Sequence, residues 1–328
     1  MIKFKRVAEE LNIPAQCRKY GLSIWQCPQF LFLVMGLVII VSTLATYLIG
    51  RRYVEDPEKV ALITFLLAAV LFIIAFVITG SFERLAEANR MKSEFISIVS
   101  HQLRSPLSNL KWAIEFLMSG RLGPIAPEQL EYFKILKENG GRMGELISDL
   151  LMVSRIEQGN LPLKKEEIVL EELIRKLIKD FEPFAKASNM EISFNPQAEL
   201  PKISVDPSQL KVVIENLLDN AIRYINPAEN HILGKETKRG KIEIKVEKRK
   251  NNIYFEIKDN GVGIPKEDRK YIFQKFFRSE NVMRYQTQGS GLGLYITKAI
   301  IEKSGGKIGF DSEELKGTRF WFTIPIKS

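Results

Sequence analysis

The sequence predicts three joined architectures: a two-span membrane hairpin, a helical hairpin that doubles into a dimeric four-helix bundle, and an α+β domain. Three observations predict them. Two uncharged runs of twenty residues lie near the N-terminus. Two long segments after them repeat apolar residues at three- and four-residue steps, and beyond Gly159 period-two and helical patterns mix. Of the 328 residues 45% are hydrophobic and 27% charged, and the apolar ones crowd toward the N-terminus while most of the charge follows. A net charge of +9 suits an anionic membrane, a nucleic acid or a phosphate ligand. No helix-turn-helix, zinc-finger or aromatic RNA-binding signature accompanies it, so nucleic acid is not expected as a partner.

Residues 1–29 read as an N-terminal cytoplasmic segment. The runs "FLFLVMGLVIIVSTLATYLI" (30–49) and "VALITFLLAAVLFIIAFVIT" (within 60–80) each reach about 30 Å as helices, the thickness of a bilayer's hydrocarbon core. A cleaved signal peptide fits badly, because the first run begins well inside the chain and the second follows at once. "GRRYVEDPEK" (50–59) is expected to form the extracytoplasmic hairpin. Two spans leave both ends on one side. Lys3, Lys5, Arg6, Arg18 and Lys19 before the first, with Arg84, Arg90 and Lys92 after the second, outnumber Arg51, Arg52 and Lys59 in the hairpin. Both termini are therefore assigned to the cytoplasm, in a two-pass protein of the cell membrane. Trp25 and Tyr47 suit the interfacial belt, and Cys17 and Cys27 are too few for a zinc site and read as reduced thiols.

Residues 81–158 form the helical region. Phe95, Ile98, Val99, Leu103, Leu107, Leu110, Ile114 and Leu117 mark one face of a long helix, which Gly120, Gly123 and Pro124 end. Leu130, Phe133, Leu136, Met143, Leu146, Ile147, Leu150, Leu151 and Val153 mark a second. Two antiparallel helices cannot bury two such faces alone; dimerisation into a four-helix bundle is the simple solution, packing on the neighbouring domain the alternative.

In residues 159–328, "EIVLEELIRKLIKDFEPFAKA" reads as a helix and "MEISFNP" as a strand. "PSQLKVVIENLLDNAIRYI" reads as a helix with Asp206 at its N-cap. "KIEIKVEKRKNNIYFEIKDN" is a hairpin turning at "KNN", and "GGKIGFDSEELKGTRFWFTIPI" a second strand pair whose glycines, Gly305 and Gly306, make a turn. "NPAENHILGKETKRG" (226–240), with His231, is a solvated loop.

The chemistry-bearing clusters follow. "NLLDNAIRY" sets the amides of Asn216 and Asn220 on one helix face. "DNGVGIP" ends a strand at Asp259, with Gly261 and Gly263 supplying a turn. "GSGLGLYITKAIIE" leads Gly289, Gly291 and Gly293 into a helix, where glycine amides at the N-terminus suit a phosphate chain. It neither follows a strand in a βαβ unit nor contains GxxxxGK[ST], so what is specific is the order of the clusters, with "FQKFFR" (273–278) between the last two.

In that order the sequence resembles the sensor histidine kinases of two-component signalling, from about residue 88 to 326. "SHQLRSPL" resembles the H box, "NLLDNAIRY" the N box, "DNGVGIP" G1, "FQKFFR" the F box, "GSGLGL" G2 and "KGTRFWF" the last glycine-threonine motif. The resemblance implies a dimerisation and phosphoacceptor domain over 81–158 and a gyrase/chaperone-type ATP-binding α/β sandwich over 159–328. It implies His101 as the phosphoacceptor; a neutral imidazole is a competent nucleophile. Asn220 would bind Mg²⁺, with Asn216 toward the phosphates, and Asp259 would meet the adenine amino group. Arg223 and Tyr224 match phosphate and base contacts. Gly289, Gly291 and Gly293 would hold the phosphates within a lid over about 274–290. Gly261, Gly263, Phe276, Arg278, Leu292, Leu294 and Thr318 complete the ATP site. Phe273, Phe276 and Phe277 read as core packing, with lid anchoring as the alternative.

Two positions depart from the family pattern. Gln102 replaces the usual acidic neighbour of the phosphoacceptor; its amide can orient the imidazole but not take up a proton. Ser105 stands where Thr or Asn is usual, which bears on phosphatase activity. A water-activating ATPase would carry a glutamate where Asn216 stands. The expected function is ATP-dependent autophosphorylation of His101 and transfer to an aspartate on a separate response regulator, since no receiver domain accompanies the motifs. The alternative is an inactive ATP-binding membrane adaptor.

Overall fold

Thirteen secondary-structure elements are seen in a computed structural model of the chain, which describes residues 28–225, 239–279 and 289–326. Cys17, Trp25 and Cys27, the loop with His231, and most of the expected lid lie outside the described residues. The chain divides into two units, Met1–Leu161 and Pro162–Ser328.

In the first unit α1 (Pro28–Tyr53) packs along the start of α2 (Pro57–Met118), where Gly50 lies close against Val60. Both helices are long and apolar enough to cross a membrane. The expected ten-residue hairpin shrinks to residues 54–56. Arg51 and Arg52 continue α1, placing positive charge at its negative dipole end, and Asp56 accepts from Glu58 N at 3.1 Å to start α2 with Pro57 in the first turn. No break separates the apolar run from the segment beginning at Ser81: α2 is one helix of 62 residues, about 93 Å long. It continues through Pro106, whose missing N–H leaves the carbonyl of Gln102 without its helical donor.

Gly120 and Gly123, both at positive φ, turn the chain into α3 (Pro127–Glu157), which returns along α2. Ala126 N donates to Gln129 Oε1 at 3.2 Å, one half of a capping box. The facing stripe differs from the expected one. Ala86, Ser93, Ser100, Leu107 and Ile114 are buried on α2 and Gly140, Ile147 and Ser154 on α3, each series at seven-residue intervals. Ser154 Oγ donates to the Ser93 carbonyl at 2.9 Å. Of the eight apolar positions expected on one face of α2, Phe95, Ile98, Leu103, Leu110 and Leu117 remain exposed. The helix pair closes partly on the expected Leu107, Ile114, Ile147 and Leu151 and partly on small residues, which hydrophobicity counting passes over.

The second unit is a two-layer α/β sandwich. β2 (Met190–Pro196), β4 (Gly240–Arg249), β5 (Asn252–Asp259), β6 (Lys307–Glu313) and β7 (Gly317–Pro325) form a sheet in the order β2-β4-β5-β7-β6; only β2 and β4 pair in parallel. α4 (Leu170–Ala187) packs on β2, α5 (Pro207–Tyr224) on β5, and α6 (Gly293–Lys303) on β6 and β7. The "KNN" turn holds Lys250 at φ 55°, and Gly305, at φ 82°, closes α6 as expected. The core is continuous. Ile174, Leu217, Leu218, Ile242, Ile253, Phe255 and Phe322 are all fully buried, and Phe255 stacks on Phe322 at 4.6 Å between centroids. Each such side chain contributes about 1.5–3 kcal/mol. One expected helix needs correction at its start: Glu166–Ile168 is a strand, β1, pairing antiparallel with β3 (Ile203–Val205). Its β-branched end holds it extended, and α4 starts only at Leu170.

Candidate functional site

The expected nucleotide-site residues within the described part fall in the second unit, at the C-terminal end of α5, the end of β5 and the N-terminal end of α6. Asp206 starts α5, accepting from Ser208 N at 2.9 Å and Gln209 N at 3.1 Å. Leu210, Val213, Ile214, Leu217, Leu218 and Ala221 turn one face of α5 into the core. That orientation leaves Asn216, Asn220, Arg223 and Tyr224 partly exposed along its edge. Asn216 Nδ2 donates to the Gly293 carbonyl at 3.3 Å and reaches Thr297 Oγ1 at 3.5 Å, joining the N box to the start of α6. Arg223 pairs with Asp219 at 2.5 Å.

Asp259 is buried at the end of β5. Its Oδ1 accepts from Gly261 N at 2.9 Å and Thr318 N at 3.1 Å, so β5, the glycine turn and β7 converge on one carboxylate. Burial pushes its pKa up to about 6, against the lowering effect of those backbone donors. A side chain at Gly261 would run into the Tyr224 carbonyl, which accepts from Val262 N at 3.0 Å, and one at Gly263 into the Glu313 carbonyl. The turn therefore seats on the last residue of α5. Burial raises the pKa of Tyr224, opposed by the charges of Arg278 and Arg223.

At the described edges of the lid, Phe276 N donates to the Gly291 carbonyl at 3.0 Å, and a Cβ on Gly291 would collide with Phe276. Gly289 lies beside Arg278, Leu292 is buried, Gly293 opens α6 and Leu294 is partly buried. The three F-box phenylalanines divide. Phe273 meets Phe310 edge-on at 5.9 Å and Phe277 lies 5.5 Å from Tyr271, whereas Phe276 is exposed and at φ 61°.

Sequence reasoning missed two supports. Ser312 Oγ lies 2.9 Å from Thr318 Oγ1 and accepts from Ile264 N at 2.8 Å, tying the glycine turn to β6; a polar residue on the inner face of a strand was the available signal. Thr297, fully buried in the apolar run of α6, receives Asn216. His101, Gln102 and Ser105 lie exposed on α2, in the first unit. Among the described residues no cluster of three or more His, Cys, Asp or Glu could hold a metal ion.

Comparison with known proteins fixes the family. Residues 91–159 match the His Kinase A (phospho-acceptor) domain and 205–328 the Histidine kinase-, DNA gyrase B-, and HSP90-like ATPase family, together more than half of the chain. The chain belongs to the sensor histidine kinases. The kinase is 30% identical over 240 residues to the circadian input-output histidine kinase CikA of Synechococcus elongatus, covering 73% of its own length and 30% of the relative's. It is 31% identical over 250 residues to the signal transduction histidine-protein kinase BarA of Escherichia coli, covering 74% and 26%. It therefore spans about a third or less of these relatives. Among solved structures it resembles full-length ShkA in complex with AMPPNP, at 25% identity and TM-score 0.58, covering 71% of this kinase and 45% of that chain.

Proposed function

We propose that this kinase binds ATP with Mg²⁺ at the α5–β5–α6 site, phosphorylates His101, and passes the phosphoryl group to an aspartate of a separate response regulator. The observation that carries the reading is the convergence of Asn216, Asp259, Thr318 and the start of α6 in one unit of a chain whose other unit exposes His101. The buried carboxylate of Asp259 takes the adenine amino group, with Tyr224 beside the base; Arg223 and the glycine amides at 289–293 take the phosphates. Asn220 would offer Mg²⁺ one amide oxygen, which suits an ion that takes few protein ligands. Bound there, the metal would supply charge neutralisation.

A neutral ring nitrogen of His101 attacks the γ-phosphorus, forming the N–P bond as the bond to the bridging oxygen breaks and ADP leaves. The proton on the other ring nitrogen passes to water, because Gln102 can orient the ring by accepting its N–H but cannot hold the proton. Ser105, one turn on, is the position from which phosphatase activity toward the regulator would be set. The exposed seven-residue series Leu103, Leu110, Leu117 supports a homodimeric four-helix bundle. α1 and α2 support two membrane spans with both termini cytoplasmic.

The test is the full chain in lipid nanodiscs with Mg²⁺ and γ-labelled ATP, beside His101→Ala. Acid-labile, alkali-stable label lost in the variant is the expected result. ATP binding without label would favour the adaptor reading based on Gln102; label restored by Gln102→Glu would reverse that.

A further inference from the structure

Asp206 does more than cap α5. Its Oδ1 accepts from Ser208 N, Ser208 Oγ (2.6 Å) and Gln209 N, while its Oδ2 accepts from Lys164 N at 2.8 Å. Lys164 belongs to the linker that enters the second unit, two residues before β1, and β1 pairs with β3, the strand ending next to Asp206. One buried carboxylate thus holds both the incoming chain and the start of the helix that carries Asn216, Asn220 and Arg223. Burial works to raise its pKa, yet the hydrogen bonds from Ser208, Lys164 and Gln209 hold it below the ordinary Asp value. On the other side of the linker α3 closes firmly: Gly159 at φ 67° lets Asn160 N donate to the Arg155 carbonyl at 2.9 Å, and Leu161 is buried. Between Leu161 and Lys164 stand only Pro162 and Leu163, and the proline fixes its own φ and restricts the residue before it.

We propose that Asp206 is a positioning residue for phosphoryl transfer: its two oxygens lock the linker to the nucleotide-binding helix, confining the joint between the two units to Pro162–Leu163. The proposal rests on the kinase reading above. With the lock in place, a displacement of the C-terminal end of α3 reaches the start of α5 through two residues. With it broken, Lys164 joins the tether and the search for His101 becomes less directed, while the nucleotide site itself keeps its geometry.

Two variants of the full chain in nanodiscs separate this role from helix capping. Asp206→Asn keeps an oxygen for the cap but turns an NH₂ toward the Lys164 N–H. Asp206→Ser caps well but is too short to reach Lys164. Three quantities are read: amide hydrogen exchange at Lys164, affinity for trinitrophenyl-ATP, and the rate of His101 labelling at saturating ATP. In both variants exchange at Lys164 should rise about tenfold or more. Affinity should stay within about twofold while labelling slows about fivefold or more, a loss in turnover without a loss in binding. Unchanged exchange overturns the lock. Affinity falling in step with rate reduces Asp206 to a helix cap, and faster exchange with an unchanged rate removes its positioning role. A wild-type chain that binds the analogue but never labels defeats the kinase reading instead.

Discussion

The helical unit and the α/β unit treat their apolar residues in opposite ways. In the α/β unit the inward faces of the helices and sheet are sealed; Phe184, Phe276 and Leu315 are the large apolar side chains left exposed among its described residues. In the helical unit Leu103 and Leu110 remain 47% and 49% exposed, in company with Leu136, Met143, Trp112 and Tyr132, and α1 leaves much apolar surface exposed beside its contact with α2. One unit completes its core from its own sequence. The other leaves apolar surface open on α1, α2 and α3, the surface that the proposed bilayer and second copy would cover.

The largest effect that breaks this comparison is charge on the seven-residue seam. Leu103→Glu with Leu110→Glu should dissociate the homodimer, weakening association by about 4 kcal/mol or more, which light scattering reads directly. If those residues face water, association will not change. In the sealed unit, Leu217→Ala deletes a side chain with no exposure and should lower unfolding stability by about 3 kcal/mol, measured by denaturant melting, without altering association. A smaller, pH-dependent effect sharpens the contrast further. Asp259 is raised to about 6 by burial, so its contribution to stability is full below its ordinary value and is lost as pH rises through about 6. A nucleotide amino group favours the ionised carboxylate. Affinity for ATP should therefore rise from about pH 5 to about pH 7 by up to about tenfold and then level off, a dependence that Asp259→Asn removes along with most of the affinity.

Much of the α/β unit is legible in the sequence because each of its signals is local. Asp206-Pro207 announces α5, period two and a "KNN" turn announce β4 and β5, and the glycines of G1 stand where a Cβ would meet Tyr224 or Glu313. Less legible are features decided by partners far away in the chain. Glu166–Ile168 becomes a strand because β3, some forty residues later, offers it a ladder; alone it reads as the first turn of α4. Ser93, Ser100 and Gly140 look neutral in a hydrophobicity pattern, yet they form the close seam of the helix pair. The continuity of α2 was hidden because its composition changes near residue 80 while its backbone does not.

That continuity makes α2 a drive shaft. From Ala75 in the apolar run to His101 the helix advances twenty-six residues, about 39 Å, without a break. A twist applied to the apolar run is carried along the helix, turning the imidazole around the axis. Two points in the helix can yield: Gly80–Ser81, before His101, and Pro106, past it, where the Gln102 carbonyl has lost its donor. Bending at Pro106 tilts what lies beyond it and leaves the helix from Ser81 to the imidazole undisturbed.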